Sequence, residues 1–304
     1  MYIPYFRGRQ YELLALKEVV QNGLLSHKVI PVIEPIKISS TFKSTLQIYK
    51  EKSMQLGLIV NPQVGDLVED NQNLIYEHIA DNVIPSVLLN DDAESAVFKL
   101  EENEYEKDKL LVLLDNGDYV SDYKELFESH NPLYTLTTDE RRIRRAISGS
   151  KVLFGDRFNR QPKNADYKKN EDEMFSEDHL YYIDEGFIGF GDYSIIGNYY
   201  EEGGFSPRAV AFHIVYFDEE KALRVHHFVS DSNFGIEDVA GKYYEAVTKL
   251  KEWFEKGHQS QRTKALSVLL EHADSGYYPG LPTLKKLSIM HHLELMSRYL
   301  DGEI

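Results

Sequence analysis

Arg7, Glu34, Asn61, Leu88 and Asp115 stand at successive steps of 27 residues, and all but Leu88 carry polar or charged side chains. Asp156, Arg157 and Asp192 follow at the ends of later apolar runs. Carboxylates gathered this way can ligate a divalent cation such as Mg²⁺ through oxygen. They can also divide into a general acid and a general base where burial sets their pKa values apart. Arginines can hold a phosphate or carboxylate with two parallel hydrogen bonds. The expected assignment makes Glu34, Asp115, Asp156 and Asp192 catalytic, and Arg7, Arg157 and Asn61 ligand-binding. Metal-assisted hydrolysis of a phosphoester or nucleotide is the reaction such a set fits best, with the metal identity open. A structural explanation stands beside it: strand ends turn polar wherever an apolar core stops, and an arginine among carboxylates neutralises them.

The 27-residue step is also the pitch of the elements that must position these groups. Short apolar runs at 2–6, 29–33, 58–61, 84–89 and 110–115 read as strands buried on both faces. Amphipathic stretches at 11–20, 41–53, 67–80 and 91–103 read as the helices between them. Pro4, Pro31, Leu58, Pro85 and Val112 repeat at the same step, with the prolines near strand starts, where a missing N–H is tolerated. Further strands are expected at 132–137, 151–156 and 186–194, with a helix over 138–149 capped by Thr138 and ended by Gly149. Eight strand–helix units predict an α/β fold of the (β/α)8 TIM type, irregular in its second half, with extra C-terminal helices. A doubly wound open sheet is the alternative, but no Gly-x-Gly-x-x-Gly loop follows the first strand. The expected organisation is a barrel domain over 1–260, with a polar excursion at 157–185 (a lid, or a mobile segment) and a hairpin at 209–229. A helical extension over 261–304 is expected to pack on the barrel.

Composition narrows the function. The net charge of −16 argues against broad nucleic-acid binding. The absence of cysteine removes disulfides, thiolate metal sites and a cysteine nucleophile. No apolar run approaches the roughly 20 residues of a membrane helix, and the N-terminal stretch lacks a signal-peptide pattern, so a soluble cytoplasmic protein is expected. Smaller features weigh less. The glycines of 186–197 suit either a phosphate-binding loop or tight turns. His226 and His227 should point to opposite faces of a strand, and His291 and His292 are adjacent on a helix; both are poor chelating arrangements. The basic run 140–145 reads as a solvated helix face.

The stretches YIPYFRGRQYELLAL, VIPVIEPIK and LIVNPQVGD, with FGDYS more loosely, resemble the uncharacterised "beta protein" family, named after a phage protein and found in bacteria and their mobile elements. The resemblance implies Arg7, Glu12, Glu34, Pro35 and Asn61 as motif positions, and a phage-related or defence setting. It implies no particular reaction. Two functions are therefore expected in competition. One is a hydrolase or phosphodiesterase acting on an anionic small molecule or nucleotide at the barrel mouth. The other is a non-catalytic barrel that binds a protein partner from the same operon, as part of a defence or toxin module.

Overall fold

The computed structural model describes residues 1–68, 72–201, 203 and 207–304. The chain packs as two compact units, the first comprising 1–156 and 178–193, the second 157–177 and 194–304.

The first unit is a (β/α)8 barrel. Its elements alternate in chain order: β1 (Tyr5–Phe6), α1 (Gln10–Gln21), β2 (Val32–Ile33), α2 (Ser40–Glu51), β3 (Leu56–Ile59), α3 (Asn73–Tyr76), β4 (Val83–Leu88), α4 (Ala93–Glu102), β5 (Leu111–Leu114), α5 (Val120–Leu126), β6 (Tyr134–Thr137), α6 (Arg141–Ala146) and β7 (Lys151–Gly155). After β8 (Asp172–Ser176), which belongs to the second unit, come α7 (Asp178–Tyr181) and β9 (Gly189–Asp192). The eight barrel strands run parallel in the order β1-β2-β3-β4-β5-β6-β7-β9. The sheet closes through the N-terminal residues: Tyr2 bridges both Val29 and Phe190, and the Ile3 N–H donates to the Phe190 carbonyl at 2.8 Å.

Glycines permit that seam. A Cβ on Gly191 would lie 2.1 Å from the Ile3 carbonyl oxygen, and one on Gly189 would lie 2.9 Å from that of Met1. These two glycines therefore serve close strand approach, which neither a phosphate loop nor a tight turn had anticipated. The helices cover the sheet with apolar stripes. In α1, Leu13, Leu16, Val19 and Val20 are buried at helical spacing; α2 is capped by Ser39, whose hydroxyl accepts from the Phe42 N–H at 3.1 Å.

Two local expectations fail. The helix expected over 67–80 forms only at Asn73–Tyr76, and 69–71 lie outside the described residues. The helix expected over 138–149 begins at Arg141 and has left helical geometry by Ile147; Thr138 does not cap it, and its Oγ1 is buried with no hydrogen-bond partner among the described residues. The polar excursion expected over 157–185 carries regular structure of its own. Asn164–Lys169 form a 3-10 turn, Asp172–Ser176 a strand and Asp178–Tyr181 a helical turn.

The second unit is built on the expected hairpin, β10 (Ala211–Phe217) and β11 (Leu223–Val229), with β8 as its third strand, antiparallel to β11. The helices α8 (Val239–Glu255), α9 (Lys264–Ser275) and α10 (Leu281–Leu300) pack within this unit. Asp238 and Thr263 cap α8 and α9, and Gly276 at φ 67° ends α9 in the left-handed conformation. Among the described residues, no helix is long and apolar enough to cross a membrane.

Candidate functional site at the barrel mouth

Side chains alternate across a strand, so inward residues recur at every second position. Tyr5, Val32, Ile59, Leu113 and Phe154 belong to one buried apolar cluster to which strands β1 to β7 contribute. Two residues further along the chain stand Arg7, Glu34, Asn61, Asp115 and Asp156. By parity these five follow the interior at its C-terminal end, the end that carries the active site of most barrels of this type. Just past the end of the eighth barrel strand, the residue that joins this cluster is Tyr193.

Glu34 is the most constrained of the five. It is 2% exposed. Its Oε1 accepts from the Gln63 N–H at 2.7 Å, and its Oε2 accepts from Tyr5 Oη at 2.9 Å and lies 3.5 Å from Arg7 Nε. Burial raises the Glu34 carboxyl above its ordinary value, while the Gln63 and Val64 N–H groups, Arg7 and Tyr5 pull it down. The carboxylate thus ties together the loops after β1, β2 and β3. The Arg7–Arg9 loop approaches closely: a Cβ on Gly8, whose φ is 59°, would meet the Glu34 carbonyl oxygen at 3.1 Å. Glu12 holds the same loop by accepting from the N–H groups of Arg7 at 3.0 Å and Arg9 at 3.4 Å.

Arg7 carries the positive charge of the mouth. Its guanidinium carbon is 5.9 Å from the Tyr5 ring centroid and 5.5 Å from that of Tyr193. The two rings meet edge to face at 5.3 Å, and Phe154 packs on Tyr193 at 4.9 Å. Arg7 is therefore presented on an aromatic floor beside a buried carboxylate. Tyr193 is pushed well up by burial first, then by Asp115, Glu34 and Asp156, with Arg7 opposing; its hydroxyl stands in the field of all four site charges.

Asp115 stands in an open position that solvent reaches, yet it is surrounded closely enough that desolvation raises its carboxyl, with its own backbone N–H and Arg7 opposing. Asp156 is exposed. The two carboxylates and the guanidinium thus share one mouth, and burial displaces the proton affinity of Asp115 upward.

Two expected site residues have other work. Asn61 is fully buried; its Nδ2 donates to the Leu88 carbonyl at 2.8 Å and to Asn90 Oδ1 at 3.0 Å, and its Oδ1 accepts from the Leu88 N–H at 2.9 Å. It fastens β3 to β4. Asp192 has the opposite parity to Tyr193 and turns away from the interior, where its Oδ1 accepts from Tyr2 Oη at 2.7 Å. Arg157 is the first residue of the second unit. The spacing argument missed Tyr5 and Tyr193, although both stand in the sequence at inward parity; strand alternation around Asp192 was the signal that could have found Tyr193. Gln63 contributes only its backbone and left no such signal.

The paired histidines make hydrogen-bonding contacts within the chain. His226 faces Asp172 and His227 faces Glu173, each at 3.1 Å, on opposite sides of β11. His291 and His292 bind Thr263 and Ser194, each at 2.8 Å. Arg144 of the basic run pairs with Asp139. Among the described residues, no group of three or more His, Asp or Glu side chains is arranged to hold a metal ion. Comparison with protein-family models, with curated proteins and with solved structures yields no match.

Proposed function

We propose that the barrel mouth binds the phosphate of a small phosphorylated molecule or nucleotide through Arg7, and that Asp115 serves it as general acid–base, making the protein a hydrolase of phosphodiester type. The observation that carries this reading is the mounting of Arg7: Glu34 and the Tyr5 and Tyr193 rings fix its direction before any ligand arrives, which lowers the ordering cost of binding. In hydrolysis Asp115, as carboxylate, takes a proton from the attacking water; the water oxygen bonds to phosphorus, the bond to the leaving oxygen breaks, and that oxygen is protonated from solvent. A divalent cation such as Mg²⁺ would meet Asp115 and Asp156, the two exposed carboxylates of the mouth. Glu34, expected as a catalytic carboxylate, serves in this reading as the group that orients Arg7. Both of its oxygens are engaged, so it is not the proton acceptor.

That engagement favours a second reading, a barrel that binds an anion or a protein partner without turning it over. Calorimetric titration with inorganic phosphate and with nucleoside mono- and diphosphates, alongside release of p-nitrophenol from bis(p-nitrophenyl) phosphate with and without Mg²⁺, separates the two. Wild type is expected to bind and hydrolyse. Arg7→Met should weaken binding at least about tenfold, roughly 1.4 kcal/mol, and Asp115→Asn should abolish turnover while sparing affinity. Binding without turnover would leave the second reading, and no binding of any anion would overturn both.

The opening motifs support placing the chain in the "beta protein" family, and with it a cytoplasmic, phage-related or defence role beside a protein from the same operon. Arg7, Glu12 and Glu34 of those motifs are joined through one loop, which gives the motif a physical purpose. Co-purification of the tagged protein with its operon neighbours tests that setting.

A further inference from the structure

The second unit contains a cavity of about 230 Å³ that the barrel mouth does not involve. An apolar cavity of about 150 Å³ already accommodates benzene, so there is room for a single ring with a small head group. Ile195, Val210, Leu281 and Leu284 give it apolar walls. Two polar groups on the wall have unused hydrogen-bonding capacity.

The first is Ser288 of α10. It is 1% exposed, and its Oγ is buried with no hydrogen-bond partner among the described residues. A helical serine ordinarily satisfies itself on the carbonyl four residues back. Ser297 of the same helix does so, donating to Leu293 at 2.7 Å. Ser288 lines the cavity instead.

The second is His213. Its Nδ1 lies 2.7 Å from His227 Nδ1, and His227 Nε2 lies 3.1 Å from Glu173 Oε1. Burial, then the neighbouring His227, pushes the His213 imidazole well down, and burial pushes His227 down, so both rings are neutral. The proton order follows. His227 Nε2–H donates to the Glu173 carboxylate, and His227 Nδ1 accepts from His213 Nδ1–H. His213 Nε2 is left as a bare acceptor on a side chain that lines the cavity. Phe158 and Tyr167 hold the ring at 4.8 and 4.5 Å. Lys285 also lines the cavity and already has an interaction within the chain.

We infer that this cavity is a binding site for a small, uncharged, mostly apolar molecule bearing one hydroxyl, of the phenol or cyclic-alcohol class. One hydroxyl meets both wall groups at once: its hydrogen is donated to His213 Nε2, and its oxygen accepts from Ser288 Oγ–H. A carboxylate would leave His213 without a donor, and a hydrocarbon would leave both groups unmet.

The test is titration of the full chain with phenol, cyclohexanol, toluene and benzoate, followed by thermal shift and by ligand-observed NMR. Saturable binding of phenol and cyclohexanol is expected, with toluene at least about tenfold weaker and benzoate without effect. Ser288→Ala removes the hydroxyl and adds a strong helix former, so it should melt at or above the wild-type temperature. Its preference for phenol over toluene should shrink below about threefold. Ala211→Leu, which fills the cavity, should abolish binding of both. Absence of saturable binding in the wild type, tighter binding of benzoate, an undiminished phenol preference in Ser288→Ala, or a marked loss of stability in that variant would each overturn the proposal.

Discussion

Glu34 Oε2 accepts a 2.9 Å hydrogen bond from Tyr5 Oη, and both side chains are almost wholly buried. Because desolvation dominates, the folded carboxyl is raised above its ordinary value of 4.5. The folded state therefore keeps a proton that the unfolded chain has lost. Stability from this group is fully present below pH 4.5 and falls as pH rises through the folded value. The unfolding free energy of wild type minus that of Glu34→Gln should accordingly decline between pH 4.5 and the folded pKa and level off above it. Tyr5→Phe removes a donor to the ionised form. It should raise the carboxyl further, extend the window upward, and cost about 1–3 kcal/mol near neutral pH. Urea unfolding across pH, with carboxyl ¹³C titration, checks both; a Glu34 pKa indifferent to Tyr5→Phe would refute the coupling.

Asp192 and Asp115 should separate cleanly. Asp192 is turned onto Tyr2, outside the interior, whereas Asp115 follows the interior parity. Asp192→Asn should leave phosphate affinity at the mouth within about twofold of wild type and lower stability by about 1 kcal/mol. Tyr2→Phe should be comparable. Asp115→Asn should leave stability nearly unchanged and remove turnover. An Asp192 variant that loses activity while keeping its melting temperature would return Asp192 to the site.

The 27-residue step made the barrel legible because it is partly a pairing register. Tyr5 pairs with Val32 and Leu58 with Pro85 at that step, whereas Val32 pairs with Gly57 and Val87 with Val112, each two residues short of it. A slip of two preserves the side-chain face, so Arg7, Glu34, Asn61 and Asp115 stay on one side despite the stagger that a closed barrel requires. Asp192 stands at the opposite parity to Tyr193 because an odd shift of one residue reverses the face, and no repeat fixes parity in the last strand. The saturation of Glu34 was illegible too. It depends on the backbone N–H groups of Gln63 and Val64, which any residue there except proline could supply. Residues 157–185 read as a polar excursion because the strand within them has no counterpart in the repeat and pairs with β11.

His291 gives the second unit its own pH signature. Its Nε2–H donates to the Val215 carbonyl at 2.7 Å, so its Nδ1 accepts from Thr263 Oγ1 at 2.8 Å. Burial, with Arg298 adding a smaller push, lowers the imidazole from 6.5 to about 4. A depressed histidine contributes stability that is complete above pH 6.5 and is lost as pH falls toward 4, at up to about 1.4 kcal/mol per pH unit. Proton–nitrogen correlation spectra should show an unprotonated Nδ1 at pH 7 and no imidazolium shift at pH 6. An imidazolium signal for His291 at pH 6 would contradict the assigned tautomer.

The barrel seam offers the sharpest single-atom test. A Cβ at position 191 would lie 2.1 Å from the Ile3 carbonyl oxygen and 3.0 Å from its carbon, both backbone atoms that cannot swing aside. Relief requires strand β9 to draw away from residues 1–3. That separation would break the Ile3 N–H bond to the Phe190 carbonyl at 2.8 Å and the Phe190 N–H bond to the Met1 carbonyl at 3.1 Å. Gly191→Ala should therefore cost about 3 kcal/mol or more. Gly23→Ala supplies the contrast: it forces an L-residue to φ 67°, but a Cβ there meets nothing within 4 Å. Its cost should stay at the roughly 1–2 kcal/mol of left-handed strain. Amide hydrogen exchange distinguishes the two mechanisms, because the Ile3 and Phe190 amides should lose protection beyond the global effect only in Gly191→Ala. Equal protection in both variants would mean that the seam tolerates the added carbon and that closure does not depend on Gly191.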